Sequence, residues 1–394
     1  MDYFSPERNP FLLEVKKFAD TLIRPFARQF EENECTPIAL IEEMGRMKLF
    51  GATFPPRYGG LEMQPLEYGY LTEILGMADP SIRSLLTVHT SLVGSVLMRF
   101  GTEKQKEQWL PLMAEGKKLA AFALTEPEVG TDAAGIQTKY ERYGDKIVLN
   151  GKKKWITYSG LADLFLVIAR DEDKVNGFIV ERNLPGITLN PMKGLLAGKA
   201  SHLCEIEFCD VEVPWENRVG PDGGGFTHVV STALDHGRFS VAWGGLGIAS
   251  AALEAMVDYS RSRRQFGKKI YNYQLIQEMI ANAVTKIHSA RALCEKAAFY
   301  RANYHADALT ETVMAKYYTS KIAMEIAIDA VQVHGGNGFS SEFPVERLFR
   351  EAKVLEVIEG TSQVLQHIIS IYGLKKYATN ASVVSQPEKA DAVI

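Results

Sequence analysis

One run of sequence marks the point where the character of the chain changes. It reads Ala121-Phe122-Ala123-Leu124-Thr125-Glu126-Pro127-Glu128-Val129-Gly130-Thr131-Asp132. The first five residues form a β-type run, and the proline and glycine that follow are typical of a loop. Polar groups at Thr125, Thr131 and Asp132 beside apolar neighbours suit a flat heterocycle with a polar edge. A surface turn is an equally good interpretation of this run alone.

Before this run, residues 10–115 have apolar side chains at helical spacing. Pro25 is expected to kink or end the first helix. Asp79-Pro80-Ser81 interrupts a later helical stretch, where the aspartate or the serine can cap a new helix. Gly101 is expected to end one helix and Thr102 to open the next.

After the run, short β-type segments follow one another without intervening helices. Turn signals such as Asn150-Gly151 separate them. This pattern predicts an antiparallel barrel or sandwich and not a doubly wound sheet. The segments are Lys146–Leu149, Phe165–Ile168, Gly177–Val180, Leu203–Phe208 and Val211–Val213.

From about Gly225 to Tyr372 the apolar spacing is helical again, with long segments near 226–262, 273–303 and 307–334. The third is apolar on nearly every face, which predicts a central position or a subunit interface. We therefore expect a mainly α protein with a central β domain. The predicted divisions are 1–117 helical, 118–224 β, 225–377 helical and 378–394 a disordered tail.

Composition excludes several functional classes. The 394 residues carry a net charge of -4, which gives no electrostatic reason to bind nucleic acid or an anionic membrane. No signal peptide or membrane span is apparent. The four cysteines form no CxxC pair, and the eight histidines lack metal-ligand spacing. We expect a cytoplasmic protein without a metal.

A second run near the C-terminus carries a candidate base: Leu355-Glu356-Val357-Ile358-Glu359-Gly360-Thr361-Ser362-Gln363. The apolar residues before Glu359 can raise its pKa, which suits proton abstraction. Gly360 permits close approach to the backbone, and Thr361 and Gln363 can bind a ligand or open a helix. A solvated glutamate at a helix start is the alternative.

Four more segments are candidates for binding or packing. Trp155 beside Thr157 offers a stacking plane next to a hydroxyl, although a buried strand tryptophan is the commoner outcome. The basic run 261–269 suits a pyrophosphate or a solvated helix end. Glycines at 335–338 permit close approach to a ligand. Gly245-Leu246-Gly247 mimics half of a dinucleotide-binding motif but lies in a helical pattern, so we interpret it as helix packing.

Six motifs in this order resemble the acyl-CoA dehydrogenase family of flavoproteins, over about residues 12–372. The resemblance implies a helical N-terminal domain, a β-barrel or sandwich middle domain and a C-terminal four-helix bundle, assembled as a homotetramer or a dimer. It also implies FAD, and electron-transfer flavoprotein or another electron acceptor. The motifs are Tyr58-Gly59-Gly60, Leu124–Asp132, Lys154-Trp155-Ile156-Thr157, Arg263–Gly267, Gln332 with Gly335–Gly338, and Ile358–Thr361.

The resemblance also assigns residues to the cofactor. The resemblance implies that residues of the β domain contact the flavin side of FAD. It implies that residues of the C-terminal helical domain, partly from a neighbouring subunit, contact the pyrophosphate and the adenosine. The first group is Phe122, Leu124, Thr125, Gly130, Thr131, Trp155 and Thr157. The second is Arg263, Gln265, Phe266, Gln332, Gly335 and Gly336, with Thr361 and Gln363 as further contacts.

Glu359 matches the family's catalytic base, and its backbone N–H matches a donor to the thioester oxygen. Some members carry the base at the position held here by Gly237, which has no carboxylate. Trp243 stands where a small residue is usual and is expected to reshape the acyl pocket; Ile358, Lys199 and Tyr158 also depart from the commonest pattern. The residues implied for substrate are Thr131, Asp235, Arg238, Trp243 and Gly360.

Segments around Arg83, Trp243 and Glu359 most resemble a subgroup in polyketide and nonribosomal-peptide pathways. Its members oxidise small acyl groups held on an acyl carrier protein. The alternatives are an acyl-CoA dehydrogenase of fatty-acid or branched-chain amino-acid catabolism, an oxidase that passes electrons to oxygen, and a helical scaffold that has lost activity.

Overall fold

The N-terminal part is helical, as the sequence predicts. A computed structural model describes residues 8–378. The chain also contains π-helical turns at Ala19–Ile23 and Thr87–Gly94. The α-helices of this part are α1 (Pro10–Phe18), α2 (Ala27–Glu32), α3 (Ile38–Arg46), α4 (Pro65–Ala78), α5 (Pro80–Leu86), α6 (Ser95–Phe100) and α7 (Glu103–Ala114).

The predicted helix ends are confirmed by their caps. A 3-10 turn at Arg24–Phe26 contains Pro25 and separates α1 from α2. Asp79 caps α5, because its carboxylate accepts hydrogen bonds from Ser81 N at 2.7 Å and Ile82 N at 3.1 Å. Thr102 opens α7 in a capping box with Gln105.

The middle part is one eight-stranded sheet in the order β6-β7-β3-β2-β4-β5-β8, with β1 paired to β4. Five pairings are antiparallel, but β1 and β2 both run parallel to β4. The purely antiparallel prediction was therefore wrong in that detail. The strands are β1 (Ala120–Ala123), β2 (Lys139–Tyr143), β3 (Lys146–Ile156), β4 (Leu164–Asp171), β5 (Lys174–Glu181), β6 (Ile187–Pro191), β7 (Cys204–Pro214) and β8 (Arg218–Val219).

The two β-type segments predicted near 203–208 and 211–213 are one strand, β7. It stays continuous because it pairs with β3 on one side and β6 on the other. Its side chains alternate between the two faces, which leaves Cys204 buried and Cys209 exposed.

The C-terminal part is again helical, and the long helix α8 lies at its centre against α4, α9 and α10. Gly245 of α8 packs on Thr319, and Gly247 packs on the backbone of α4, so the Gly-Leu-Gly segment is a packing feature. The elements are α8 (Ser231–Ser262), β9 (Arg264–Gln265), β10 (Lys268–Lys269), α9 (Gln274–Ala302), α10 (Ala308–His334), α11 (Val345–Leu355) and α12 (Ser362–Lys376).

The segment Gly225–Ser262 is long and apolar enough to cross a membrane, but 72% of its most apolar window is buried inside the fold. That burial is the pattern of a core helix. The predicted domain boundaries fall in the connections between α7 and β1 and after β8. Apart from Ala378, the predicted tail lies outside the described residues.

Candidate active site

Glu359 lies in the short connection between α11 and α12. Its backbone is left-handed, with φ of 55°, and Gly360 follows with φ of 95°. The carboxylate atom Oε2 is shielded from solvent and has no hydrogen-bond partner in residues 8–378. Burial raises the pKa of Glu359 to about 7, against the opposing attraction of Arg238, Lys316 and Arg83. An unpaired, desolvated carboxylate of this kind can accept a proton near neutral pH.

Two buried cations hold the backbone of this connection. Arg238 on α8 donates from Nε to the Glu359 carbonyl at 2.9 Å. Lys316 on α10 donates from Nζ to the Gly360 carbonyl at 2.8 Å. Neither cation forms an ion pair with the carboxylate of Glu359 within residues 8–378, so the carboxylate remains free to react.

Within residues 8–378, the backbone N–H of Glu359 also has no hydrogen-bond partner. Neighbouring amides form hydrogen bonds, for example Ile358 N to the Val354 carbonyl and Ser362 N to the Glu356 carbonyl. Across residues 8–378, no backbone or side-chain acceptor is recorded for the Glu359 amide. A donor next to an unpaired carboxylate is the arrangement needed to bind a developing oxyanion while a proton is removed.

Gly237 on α8 faces this carboxylate directly. A Cβ built at position 237 would lie 2.5 Å from Glu359 Oε2 and 2.6 Å from Leu92 Cδ2. The two positions at which the family resemblance places a base therefore meet at one point in space. Because Gly237 has no side chain, there is space for the carboxylate of Glu359, which extends from the connection between α11 and α12.

Arg83 on α5 is a residue of this site to which the sequence analysis assigned no role. It is buried, its Nη1 donates to Thr87 Oγ1 at 2.8 Å, and its Nε has no partner within the described chain. Its charge and that of Glu359 attract each other. Thr87 Oγ1 also lies 2.8 Å from Ser240 Oγ. The sequence signal that could have identified Arg83 is an arginine within an apolar helical run. Such an arginine is expected to be buried, and buried arginines almost always have a charged or polar partner.

The other residues predicted to bind substrate lie around α8. Asp235 pairs with Arg301 at 2.9 Å. Trp243 is fully buried against Tyr70, with ring centroids 4.9 Å apart, and its Nε1 has no partner in residues 8–378. Its predicted effect on the acyl pocket stays a prediction.

Two of the segments predicted to contact the flavin meet where β1 ends. Lys154 N donates to the Thr125 carbonyl at 2.8 Å, which joins the 124–132 loop to β3. Trp155 follows with φ of 62° and about half of its surface exposed. An exposed indole beside a fixed loop can stack on a flat ring.

A buried ion pair between Lys153 and Glu126 holds the 124–132 loop against β3. The sequence motifs did not predict a role for either residue. Lys153 Nζ donates to the Leu124 carbonyl at 2.8 Å and to Glu126 Oε1 at 2.7 Å. Glu126 in turn accepts hydrogen bonds from the amides of Gln137 and Thr138. The sequence signal for this pair is the alternation of side chains along a strand. Because successive residues of β3 point to opposite faces, Lys153 is buried where Lys152 is exposed.

The residues predicted to contact the pyrophosphate and adenosine lie just after α8, in the last turn of α10 and in the turn that follows α10. Arg263 N donates to the Tyr259 carbonyl, and Tyr259 OH accepts from Asn337 Nδ2 at 3.0 Å. The Gly335–Phe339 turn therefore contacts the last turns of α8, from which the Arg264–Lys269 hairpin continues. No hydrogen bond or ion pair between residues 8 and 378 joins this group to the loop beside Trp155.

These two groups fit a flavin dinucleotide. A Cβ added at Gly130, Gly267 or Gly336 would meet nothing within 4 Å, so the backbone is open to a ligand at each. Phe266 is almost fully exposed. Thr361 caps α12 through its hydroxyl. Several further side chains have no recorded hydrogen bond in the described part of the chain: Thr131, Thr157, Gln332 and Gln363.

Comparison with known proteins agrees with this geometry. Sequence profiles of the acyl-CoA dehydrogenase N-terminal, middle and C-terminal domains match residues 5–117, 121–211 and 223–371. The chain belongs to the acyl-CoA dehydrogenase family. It is therefore an FAD-dependent oxidoreductase that acts on the CH–CH group of acyl thioesters.

Relatives extend over nearly the whole chain. The acyl-CoA dehydrogenase of Bacillus subtilis is 37% identical over 366 residues, which is 91% of this chain and 95% of the relative. The structure of butyryl-CoA dehydrogenase from Megasphaera elsdenii has a TM-score of 0.91 and 35% identity, and covers 95% of this chain and 100% of its own. The caffeyl-CoA reductase-Etf complex subunit CarC of Acetobacterium woodii is 38% identical over 90% of this chain and 98% of its own length.

Two further solved structures also match this chain. The prolyl acyl carrier protein oxidase AnaB has a TM-score of 0.88, with 27% identity and coverage of 94% and 99%. FkbI, described for biosynthesis of the methoxymalonyl extender unit of the Fk520 polyketide, has a TM-score of 0.84, with 27% identity and coverage of 92% and 99%.

Proposed function

We propose that this enzyme dehydrogenates a small, polar acyl group carried as a thioester on an acyl carrier protein. Bound FAD supplies the electron sink that accepts the β-hydride. The observation that carries the proposal is the unpaired Glu359 carboxylate beside Gly237. Glu359 removes the α-proton in the same site, and its free N–H donates to the thioester oxygen as negative charge develops there.

Arg83 supports a polar acyl group. A buried guanidinium that lacks a partner at Nε is costly, and a ligand oxygen would relieve that cost. The hydroxyls of Thr87 and Ser240 lie in the same cluster. Trp243 fills the helical core one helical turn beyond Phe239, which leaves little room for a long alkyl chain in that direction.

Other residues have the roles that the family resemblance implies. Arg238, Thr131, Asp235 and Gly360 line the path of the thioester. Arg238 also keeps the connection that carries Glu359 in place through its hydrogen bond to the Glu359 carbonyl. The cofactor is held by the loop beside Trp155 and, partly from a neighbouring subunit, by the residues after α8 and around the end of α10. A homotetramer in the cytoplasm is the expected assembly, and exposed apolar side chains on α9 and α12, such as Leu275, Phe299 and Leu374, support self-association.

Carrier specificity is tested by flavin reduction. The purified holoenzyme is mixed without oxygen with the same acyl group on coenzyme A or on an acyl carrier protein, and flavin bleaching is followed. We expect bleaching with the carrier protein at a rate at least about tenfold higher. Equal or faster bleaching by free acyl-CoA would contradict the carrier proposal.

Acyl polarity is tested with Arg83→Met. Its kcat/KM for hydroxyacyl or carboxyacyl thioesters is expected to fall by about tenfold or more, as for a lost hydrogen bond to a charged group. Turnover of butyryl thioester is expected to change much less. Equal losses on both substrates would argue against a role in acyl recognition.

The second candidate is a short-chain acyl-CoA dehydrogenase of catabolism that delivers electrons to electron-transfer flavoprotein. The butyryl-CoA dehydrogenase structure and the relative from an Etf complex favour it. Efficient turnover of butyryl-CoA with that acceptor would identify it. Stoichiometric hydrogen peroxide release would instead identify an oxidase.

A further inference from the structure

Lys316 is a fully buried lysine in the core beside the connection that carries Glu359. It lies on α10, and no part of its side chain is exposed. Between residues 8 and 378, the one hydrogen bond of its side chain is the 2.8 Å contact from Nζ to the Gly360 carbonyl. A carbonyl can be satisfied by a neutral donor, so the hydrogen bond alone does not account for a cation at this place.

Keeping a cation here costs stability. Burial, together with repulsion from Arg238, lowers the pKa of Lys316 to about 7, against the opposing attraction of Glu359 and Glu356. A methionine has a similar length and would fill the same core space without desolvating a charge. Residues retained at such a cost are concentrated at functional sites.

The geometry indicates what Lys316 does. Glu359 and Gly360 are two successive left-handed residues, a conformation that is strained for the glutamate. Their two carbonyls point to two different helices, where Arg238 of α8 and Lys316 of α10 hold one each. Each of the two successive peptide groups, 359–360 and 360–361, is thus held by one cation, which restricts the backbone that carries the Glu359 side chain.

We propose that Lys316 is a positioning residue, which holds the Gly360 carbonyl and so keeps the Glu359 carboxylate and amide aimed at the substrate. This inference rests on Glu359 acting as the base. Because Lys316 binds the backbone and not the carboxylate, it adds positive charge near the base without blocking it.

The test compares Lys316→Met with Lys316→Gln and a control, Lys321→Met, whose side chain on the same helix is more than half exposed. Any thioester that bleaches the flavin serves as substrate, so the result does not depend on the identity of the carrier. We measure kcat and KM from pH 5 to 9, FAD content and the midpoint of thermal unfolding.

For Lys316→Met we expect kcat to fall by about 10–100-fold, since small misplacements of a catalytic group have effects of this size. KM and FAD content are expected to stay near those of the unaltered enzyme. The acid limb of the kcat/KM profile is expected to move up by about one pH unit, because a neighbouring cation lowers a carboxyl pKa by that order. The unfolding midpoint is expected not to fall, and Lys321→Met is expected to behave as the unaltered enzyme.

Lys316→Gln separates hydrogen bonding from charge. It keeps a donor for the Gly360 carbonyl, so we expect a smaller loss in kcat together with the same shift of the acid limb. An unchanged kcat and pH profile in either variant would overturn the proposal. So would a lower unfolding midpoint with loss of FAD and an unmoved acid limb, since that combination indicates a purely structural role.

Discussion

Gly237 on α8 lies directly beside the carboxylate of Glu359, because a Cβ at position 237 would lie only 2.5 Å from Glu359 Oε2. Gly237→Ala should therefore displace the carboxylate and lower kcat/KM by about 100-fold. The control is Gly373→Ala on α12, where an added Cβ meets nothing within 4 Å. Equal activity in the two variants would show that the carboxylate tolerates the methyl group.

The same proximity predicts that the base can be moved. Glu359→Gly removes the carboxylate at a residue whose left-handed backbone suits glycine. Adding Gly237→Glu to that variant should restore flavin reduction by at least about tenfold, within the range that a general base contributes. Stopped-flow flavin bleaching measures the recovery. A double variant no faster than Glu359→Gly would disprove the spatial equivalence.

Glu359→Gln should bind FAD normally and lose about 10²–10⁴ in the rate of flavin reduction. It should also be more stable than the unaltered enzyme at pH 8. The folded-state pKa of Glu359 is raised to about 7 from 4.5, so its stabilising contribution is full below pH 4.5 and is lost as the pH rises to 7. Thermal unfolding at pH 5 and pH 8 measures this; near-normal turnover would refute the assignment of the base.

The pH profile of kcat/KM should rise with pH, with an acid limb near pH 7. The limb reflects deprotonation of Glu359 in the free enzyme, whose pKa is raised by burial. Flavin reduction by a thioester without a titratable acyl group gives the cleanest measurement. A limb near pH 4.5 would show that the carboxylate is solvated in the working enzyme.

Lys153→Met should release the 124–132 loop. Removing one partner of a buried ion pair costs about 3–5 kcal/mol, because the other charge is left uncompensated. We expect a lower unfolding midpoint and lower FAD content. Lys152→Met is the matched control, since Lys152 forms an exposed pair with Glu207 on the other face of β3. Similar behaviour of the two variants would contradict a special role for the buried pair.

The sequence alone determined most of the helical framework. Asp79 and Thr102 cap helices because their side chains bond amides only two or three residues away, and Pro25 lacks the amide that a helix interior needs. The motifs around Trp155, Arg263 and Glu359 also identified the family from the sequence, because each is a short contiguous run. Local chemistry of this kind can be predicted without knowing which elements pack together.

Only the tertiary structure decided which distant groups share the site. Arg83 of α5 and Lys316 of α10 bring positive charge close to Glu359, and nothing in their immediate neighbours in the chain predicts it. The physical reason is desolvation, which gives a charge its altered pKa and its need for a partner only once other elements enclose it. The sequence identified Glu359 as a candidate, but the packing of α5, α8 and α10 around it left its carboxylate unpaired and able to act as a base.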